Sequence, residues 1–132
     1  MKTIAALFSD FLHEDQIILR QYRKEIGETV HSDVVVSKLV KASILTHQEK
    51  NSINLAQTNV GRMNLLMDML PKKKAAAFPL FCDAIKFKYP ALFELIAKAK
   101  QHSIMQQNLG NSWFQFVKYK FMQYTVLYYY KY

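Results

Sequence analysis

The segment Leu65–Ile85, LLMDMLPKKKAAAFPLFCDAI, contains two apolar runs separated by a proline and three lysines. The first run has apolar residues three and four positions apart, as in a helix with one buried face: Met63, Leu66, Met67 and Leu70. Pro71 ends this helix, because proline lacks an N–H and restricts the residue before it. The second run repeats the pattern at Phe78, Phe81, Cys82 and Ile85, with Pro79 in the first turn. The segment predicts two core helices joined by a basic turn.

The composition of the 132-residue chain favours one helical domain. This length supports a single core, and 51% of the residues are hydrophobic, which is enough to build it. Three glycines and three prolines are too few for an all-β protein, which needs turn residues at short intervals. We therefore predict an all-α fold.

Three features of the sequence predict a cytoplasmic protein. A single cysteine cannot form an internal disulfide. No signal-peptide pattern follows Met1. No apolar run approaches the roughly 20 residues that a membrane-spanning helix needs. We expect no membrane association.

Three further helices are predicted before the opening segment. The first extends from Leu12 to Ile26, and Gly27 is its expected end. Ser32 or Asp33 is expected to cap the second, whose apolar residues are Val36, Leu39 and Val40. Thr46, followed three residues later by Glu49, forms a capping box. It predicts a short third helix from His47 to about Ala56.

Thr58 or Asn59 is expected to cap the fourth helix, and Pro90 to open the sixth. The predicted buried side of the sixth helix consists of Leu92, Leu95, Ile96 and Ala99. Six short amphipathic helices with short connections form a compact antiparallel bundle, which we assign to residues 1–100. Residues 101–132 end in SWFQFVKYKFMQYTVLYYYKY, which is rich in aromatic residues and contains no acid. We treat this part as an appended C-terminal segment.

The sequence has no pattern of catalytic or metal-binding residues. Cys82 is expected on an apolar helix face, where it is a buried thiol and not an activated nucleophile. The four histidines lie singly along the chain, and the three glycines are too isolated to form a phosphate loop. We predict no enzymatic activity, no cofactor and no metal.

Basic residues from two predicted helices form a candidate binding surface. Arg20, Arg23 and Lys24 of the first helix and Arg62 of the fourth make one basic face if these helices pack side by side. The alternative is four independent solvated charges. The run Lys72–Lys74 is expected to be a solvated turn that complements the C-terminal dipole of the preceding helix, with phosphate binding as its alternative.

The order of these elements resembles a known family. The segment NLLMDMLPKKKAAAFPLFCDAIKFKYPALFELI, residues 64–96, is similar to the fourth to sixth helices of a caspase recruitment domain (CARD), a member of the death-fold superfamily. The family pattern there is an amphipathic helix ending in Leu-Pro, a basic turn, a helix of the AFxxFCxAL kind and a helix closing on LxxLL. Upstream, ILRQYRKEI resembles the first helix and SKLVKASILTHQEKNSI the second and third.

The resemblance implies a six-helix Greek-key bundle that binds other CARDs and has no catalytic role. Its implied partners are a CARD-containing caspase or adaptor, and further copies of itself, in apoptotic or inflammatory signalling. The basic face would be Arg20, Arg23, Lys24 and Arg62, and the acidic counterpart Asp33 and Glu49. The caspase motif QACxG is absent, so no protease activity is expected. The module would act either as an activating adaptor or as an inhibiting decoy, and the lack of a protease or second signalling domain favours regulation by competition.

The alternative function is that of a small basic helical protein that binds nucleic acid. The net charge of +8 and the interleaved basic and aromatic residues of FVKYKFMQY favour this alternative. The charge is uneven, however, because all ten acidic residues lie at or before Glu94. Residues 1–97 are therefore only mildly basic, and we do not expect nucleic acid to be the main partner.

Overall fold

The computed structural model describes residues 9–107, which form seven α-helices and one 3-10 turn. The α-helices are α1 (His13–Gln21), α2 (Arg23–Thr29), α3 (Ser32–Lys41), α4 (His47–Asn54), α5 (Asn59–Met69), α6 (Ala77–Lys86) and α7 (Pro90–Gln107), and the 3-10 turn is Leu70–Lys72. The predicted all-α class is confirmed. The predicted boundary at residue 100 falls inside α7, and most of the appended segment, residues 108–132, lies outside the described residues.

The predicted first helix is two helices, which raises the count from six to seven in the described range. The helix breaks at Tyr22, where φ is −104° and ψ is 15°, and not at Gly27. Gly27 is buried within α2, which continues to Thr29. A Cβ atom built on Gly27 would lie 3.8 Å from Val60 of α5. The glycine therefore lies inside α2, beside α5, and does not end the helix.

One hydrophobic core is built from a stripe of each helix. Its largest fully buried side chains include Phe81, Ile26, Leu39, Ile53 and Met63. The helix α3 packs against α6, α2 packs against α5, and α7 packs against both α6 and α1. The core therefore ties the two ends of the described chain together.

The prediction that Leu95 is buried is wrong. Leu92 and Ile96 are buried as expected, but Leu95 is 49% exposed and Phe93 is 2% exposed. Leu95 and Phe93 are two positions apart, roughly 200° around a helix, so both cannot face one core. The larger aromatic side chain takes the inner position.

Helix caps follow the predictions where the signal is local. Thr46 and Glu49 make both hydrogen bonds of the capping box, and the Thr58 hydroxyl accepts a hydrogen bond from the Gly61 N–H at 3.0 Å. Pro79 lies in the first turn of α6. These three predictions are confirmed.

The start of α3 is organised by residues from other helices. Neither the Ser32 nor the Asp33 side chain caps it. Instead, the Ser32 N–H donates to Asn59 Oδ1 at 2.8 Å, and Asn59 Nδ2 donates to the Val30 carbonyl at 2.8 Å. The predicted local cap is wrong because the side chain of Asn59 supplies the acceptor from α5.

The basic turn is attached to the N-terminal segment and to α4. The Phe11 N–H donates to the Lys73 carbonyl at 3.2 Å, and the Ala75 N–H donates to the Ser9 carbonyl at 2.8 Å. The Lys73 ammonium group contacts both carboxylate oxygens of Glu49, at 2.8 and 2.6 Å. Lys72 and Lys74 are exposed, so the predicted solvated turn holds for them and not for Lys73.

Candidate partner-binding groove

A groove separates α1 and α2 from the end of α5. It has a volume of about 350 Å³. Leu19 and Met67 are nearly buried, and with Pro71 they provide its apolar part. Its polar side chains are Gln16, Arg20, Arg23, Asp68 and Lys72. The groove therefore combines apolar surface with three basic side chains and one carboxylate.

Arg20 and Arg23, both predicted for the basic face, lie together in this groove. Arg20 is exposed at the last turn of α1, and Arg23 opens α2 after the break at Tyr22. Lys24 is exposed on α2 but does not line the groove. The break therefore matters for the site, because it separates the helix that carries Arg20 from the helix that carries Arg23.

The guanidinium of Arg23 is fixed by α5. Its Nε donates to Asn64 Oδ1 at 3.0 Å, and its Nη2 donates to the Asn64 carbonyl at 3.3 Å. Its Nη1 lies 2.9 Å from Asp68 Oδ1. Arg23 therefore joins α2 to α5 and still presents a partly exposed cation to the groove.

Arg62 is on the opposite side of α5 from Arg23. Its Nε donates to the Ala56 carbonyl at 2.8 Å, and its Nη2 donates to the Asn54 carbonyl at 3.4 Å. Arg62 and Asn64 are two positions apart, roughly 200° around the helix. The structure therefore brings together Arg20 and Arg23 but not Arg62, which occupies carbonyl groups at the end of α4.

Lys72 is exposed in the predicted solvated turn and also lines the groove. It follows Pro71 in the 3-10 turn, and this turn directs the chain beside Arg20. The sequence alone does not predict a role for Asn64 and Asp68, which contact Arg23. Asn64 and Asp68 are four residues apart, and this spacing places them on one face of a helix. The sequence does not show that Arg23 packs against that face.

The two residues predicted for an acidic face are separated and unequal. Asp33 is exposed in the first turn of α3. Glu49 follows the loop at the other end of α3, and the hydrogen bond from Lys73 is the main cause that lowers its pKa. The Thr46 backbone N–H also bonds to Glu49. Glu49 therefore stabilises the fold through Lys73 and Thr46, whereas Asp33 is more accessible to a partner.

The residues that the structure describes include no activated thiol and no metal cluster. Cys82 is buried, and burial raises the pKa of its thiol well above the usual range, which makes it a poor nucleophile. Residues 9–107 contain no group of three or more His, Cys, Asp or Glu side chains placed to hold a metal ion. Within the same range, no helix combines the length and hydropathy of a membrane span.

Comparison with known proteins supports the resemblance. The family model of the caspase recruitment domain matches residues 16–99, which is more than half of the chain. The comparison with solved structures gives no match. Domains of this family are protein-interaction modules of apoptotic and inflammatory signalling, are not catalytic, and bind other proteins that carry the same domain. The extent of the match and the all-helical fold show that this chain belongs to the caspase recruitment domain family.

Proposed function

We propose that this domain binds the caspase recruitment domain of a caspase or an adaptor through the groove between α1 and α5, and so regulates caspase activation. The observation that carries the proposal is the charge of the groove. It holds Arg20, Arg23 and Lys72 against the single carboxylate of Asp68. A partner with an acidic surface complements this charge.

The shape and chemistry of the groove support a protein partner. Protein interfaces combine an apolar centre with a polar rim that excludes water. Here Leu19, Met67 and Pro71 provide the apolar part, and the arginines and Lys72 provide the charged part. An acidic helix of the partner can place its aliphatic carbons on the apolar part of the groove and its carboxylates on the charged part.

Pairing of two copies through this groove is disfavoured by the charges on α3 and α4. These helices would have to supply the acidic surface in a second copy. Asp33 is exposed there, but Glu49 is bound to Lys73, and Lys41 and Lys50 add positive charge. We therefore expect a different, more acidic domain as the preferred partner, with homo-oligomers through this groove weaker.

We place this binding in the cytoplasm. The chain has one cysteine, and the thiol of Cys82 is buried in the core without a disulfide partner. Such cysteine use is typical of a reducing compartment. Localisation of the tagged full chain by microscopy tests this assignment.

Charge reversal in the groove tests the proposal. The variant Arg20→Glu/Lys72→Glu changes two exposed side chains and leaves the contacts of Arg23 with Asn64 and Asp68 in place. Titrated against a panel of purified caspase and adaptor recruitment domains, the parent chain should bind at least one of them. The double variant should lose about tenfold or more of that affinity, because two attractive charges become repulsive.

The variant Lys88→Glu, which reverses one charge where the test variant reverses two, is the control for a general effect of charge. Lys88 is exposed in the turn between α6 and α7, away from the groove. We expect it to keep the parent affinity within about twofold at physiological salt, where charges beyond about 8 Å are screened. Equal losses in both variants, or no loss in the double variant, would remove this groove as the binding site. Retained binding to generic single-stranded RNA alone would favour the nucleic-acid alternative.

A further inference from the structure

We propose that, in the free protein, the ion pair between Asp68 and Arg23 takes the place of an ion pair between Arg23 and a partner carboxylate. On binding, the partner's carboxylate replaces Asp68 while Asn64 keeps Arg23 in position. This inference rests on the proposed function, because it concerns the regulation of the same groove. It assigns Asp68 as a residue that sets how acidic a partner must be.

The hydrogen bonds of Arg23 make such an exchange feasible. Asn64 contacts Nε and Nη2, at 3.0 and 3.3 Å, whereas Asp68 contacts Nη1 at 2.9 Å. A guanidinium carries five N–H donors, so three contacts leave donors available to an incoming carboxylate. The carboxylate can therefore approach before Asp68 leaves.

Exposure distinguishes the contact that can leave from the contacts that stay. The Asp68 side chain is 60% exposed, and an exposed ion pair adds little net stability because water and salt screen it. Asn64 is partly buried and uses its backbone carbonyl, which is part of α5. Release of Asp68 therefore requires only a rotation of its side chain, whereas the Asn64 carbonyl is held in place by the backbone of α5.

The exchange sets the affinity of the groove for acidic partners. A partner carboxylate restores the charge pair that Arg23 loses, so the exchange is nearly neutral for Arg23. A neutral side chain does not displace Asp68, so the ion pair with Arg23 stays as it is in the free protein. Competition from Asp68 therefore lowers the affinity for a partner carboxylate and leaves the affinity for a neutral side chain unchanged.

A double-mutant cycle with a defined probe tests the proposal. The probe is a fluorescent helical peptide of about 20 residues with one row of glutamates, and its control carries glutamines in that row. Fluorescence anisotropy of the full chain gives the affinity. We expect Asp68→Asn to raise the affinity for the glutamate peptide about two- to fivefold, the range of an exposed ion pair. It should leave the glutamine peptide unchanged.

Two comparisons separate displacement of Asp68 from a general gain in positive charge. Glu25→Gln makes the same charge change on α2 at an exposed carboxylate that has no ion pair with the described residues. It should change the affinity by less than about 1.5-fold under physiological salt screening. In an Arg23→Gln background, the gain from Asp68→Asn should fall to the level of Glu25→Gln.

The outcomes distinguish this inference from the proposed function. If Arg20→Glu/Lys72→Glu does not weaken binding of the glutamate peptide, the groove itself is not the site and both fail. If that variant weakens binding, the groove is the binding site. The role of Asp68 is then overturned if the affinity gain of Asp68→Asn equals that of Glu25→Gln, or if the gain persists in the Arg23→Gln background. Unchanged far-ultraviolet circular dichroism confirms that each variant is folded.

Discussion

Asp15 places a carboxylate almost completely inside the protein, with 2% of the residue exposed. Lys100 of α7 forms an ion pair with it and lies 5.8 Å from the ring centroid of Phe78. The pair joins α1 to α7. Burial of the carboxylate outweighs the attraction of Lys100 and raises the pKa of Asp15 from 3.8 to about 6.

This pKa predicts a stability change with the opposite sign to ordinary acid denaturation. The folded protein binds a proton at Asp15 more tightly than the unfolded chain does, so this residue adds stability as pH falls from about 6 to about 4. Over that window the free energy of unfolding of the parent, relative to Asp15→Asn, should rise by up to about 3 kcal/mol. Urea unfolding of both proteins between pH 4 and pH 7 measures the difference.

Comparison with the asparagine variant is necessary because other carboxylates titrate in the same range. Glu49 has a lowered pKa, so its contribution to stability is lost as pH falls. That loss occurs in both proteins and cancels in the difference. A difference that stays flat or falls with decreasing pH would show that the attraction of Lys100 dominates over burial.

The helix α2 contains a glycine where a helix former fits. A Cβ on Gly27 would meet Val60 at 3.8 Å and Met67 at 4.0 Å, which are ordinary contacts. Gly27→Ala should therefore increase the free energy of unfolding by about 0.5–1 kcal/mol, because alanine loses less conformational freedom in a helix. Thermal and urea unfolding measure it.

Gly61 of α5 is the matched control for this substitution. A Cβ there would lie 3.0 Å from the Thr58 hydroxyl oxygen that accepts the Gly61 N–H. Gly61→Ala should therefore gain less than Gly27→Ala or lose stability, because it disturbs a helix cap. Equal gains at both positions would contradict the contact geometry.

The end of α3 contains a serine where glycine would fit the backbone better. Ser43 has φ of 62°, a left-handed conformation that a non-glycine residue adopts at a cost. This geometry lets the Ile44 N–H donate to the Leu39 carbonyl at 2.9 Å and closes the helix. Ser43→Gly should stabilise the protein by about 1 kcal/mol. Ser37→Gly within the same helix, at an exposed position, should destabilise it.

If the groove binds an acidic domain as proposed, its charge predicts that the association rate depends on salt. The groove carries Arg20, Arg23 and Lys72, while Glu49 is neutralised by Lys73 on another part of the surface. Long-range attraction then speeds the encounter with an acidic domain. Raising the salt concentration from about 0.05 to about 0.5 M should slow association about tenfold or more.

Stopped-flow or surface-binding kinetics with the domain found in the panel measure this salt effect. Dissociation should change much less than association, because contacts at short range are less screened. Lys88→Glu should retain the salt slope of the parent, and Arg20→Glu/Lys72→Glu should flatten it. A salt effect confined to dissociation would contradict steering by the groove.

The amino-acid sequence was sufficient for the all-α architecture, the caps at Thr46 and Thr58, and the burial of Cys82. Each depends on residues within one or two helical turns, where spacing and hydrogen-bond chemistry are local. The resemblance in residues 64–96 added the family, which the match over residues 16–99 confirms. The partner-binding role of the basic residues stays a prediction.

Contacts between distant helices could be found only in the folded molecule. The cap that Asn59 provides to α3 and the contacts of Asn64 and Asp68 with Arg23 join residues far apart in the chain. A charged side chain has the same appearance in a sequence whether it faces water, a carbonyl or a carboxylate. In the folded molecule Arg62 binds a carbonyl group after α4, whereas Lys72 lines the groove. The packing of the helices therefore determines which basic residues share one surface.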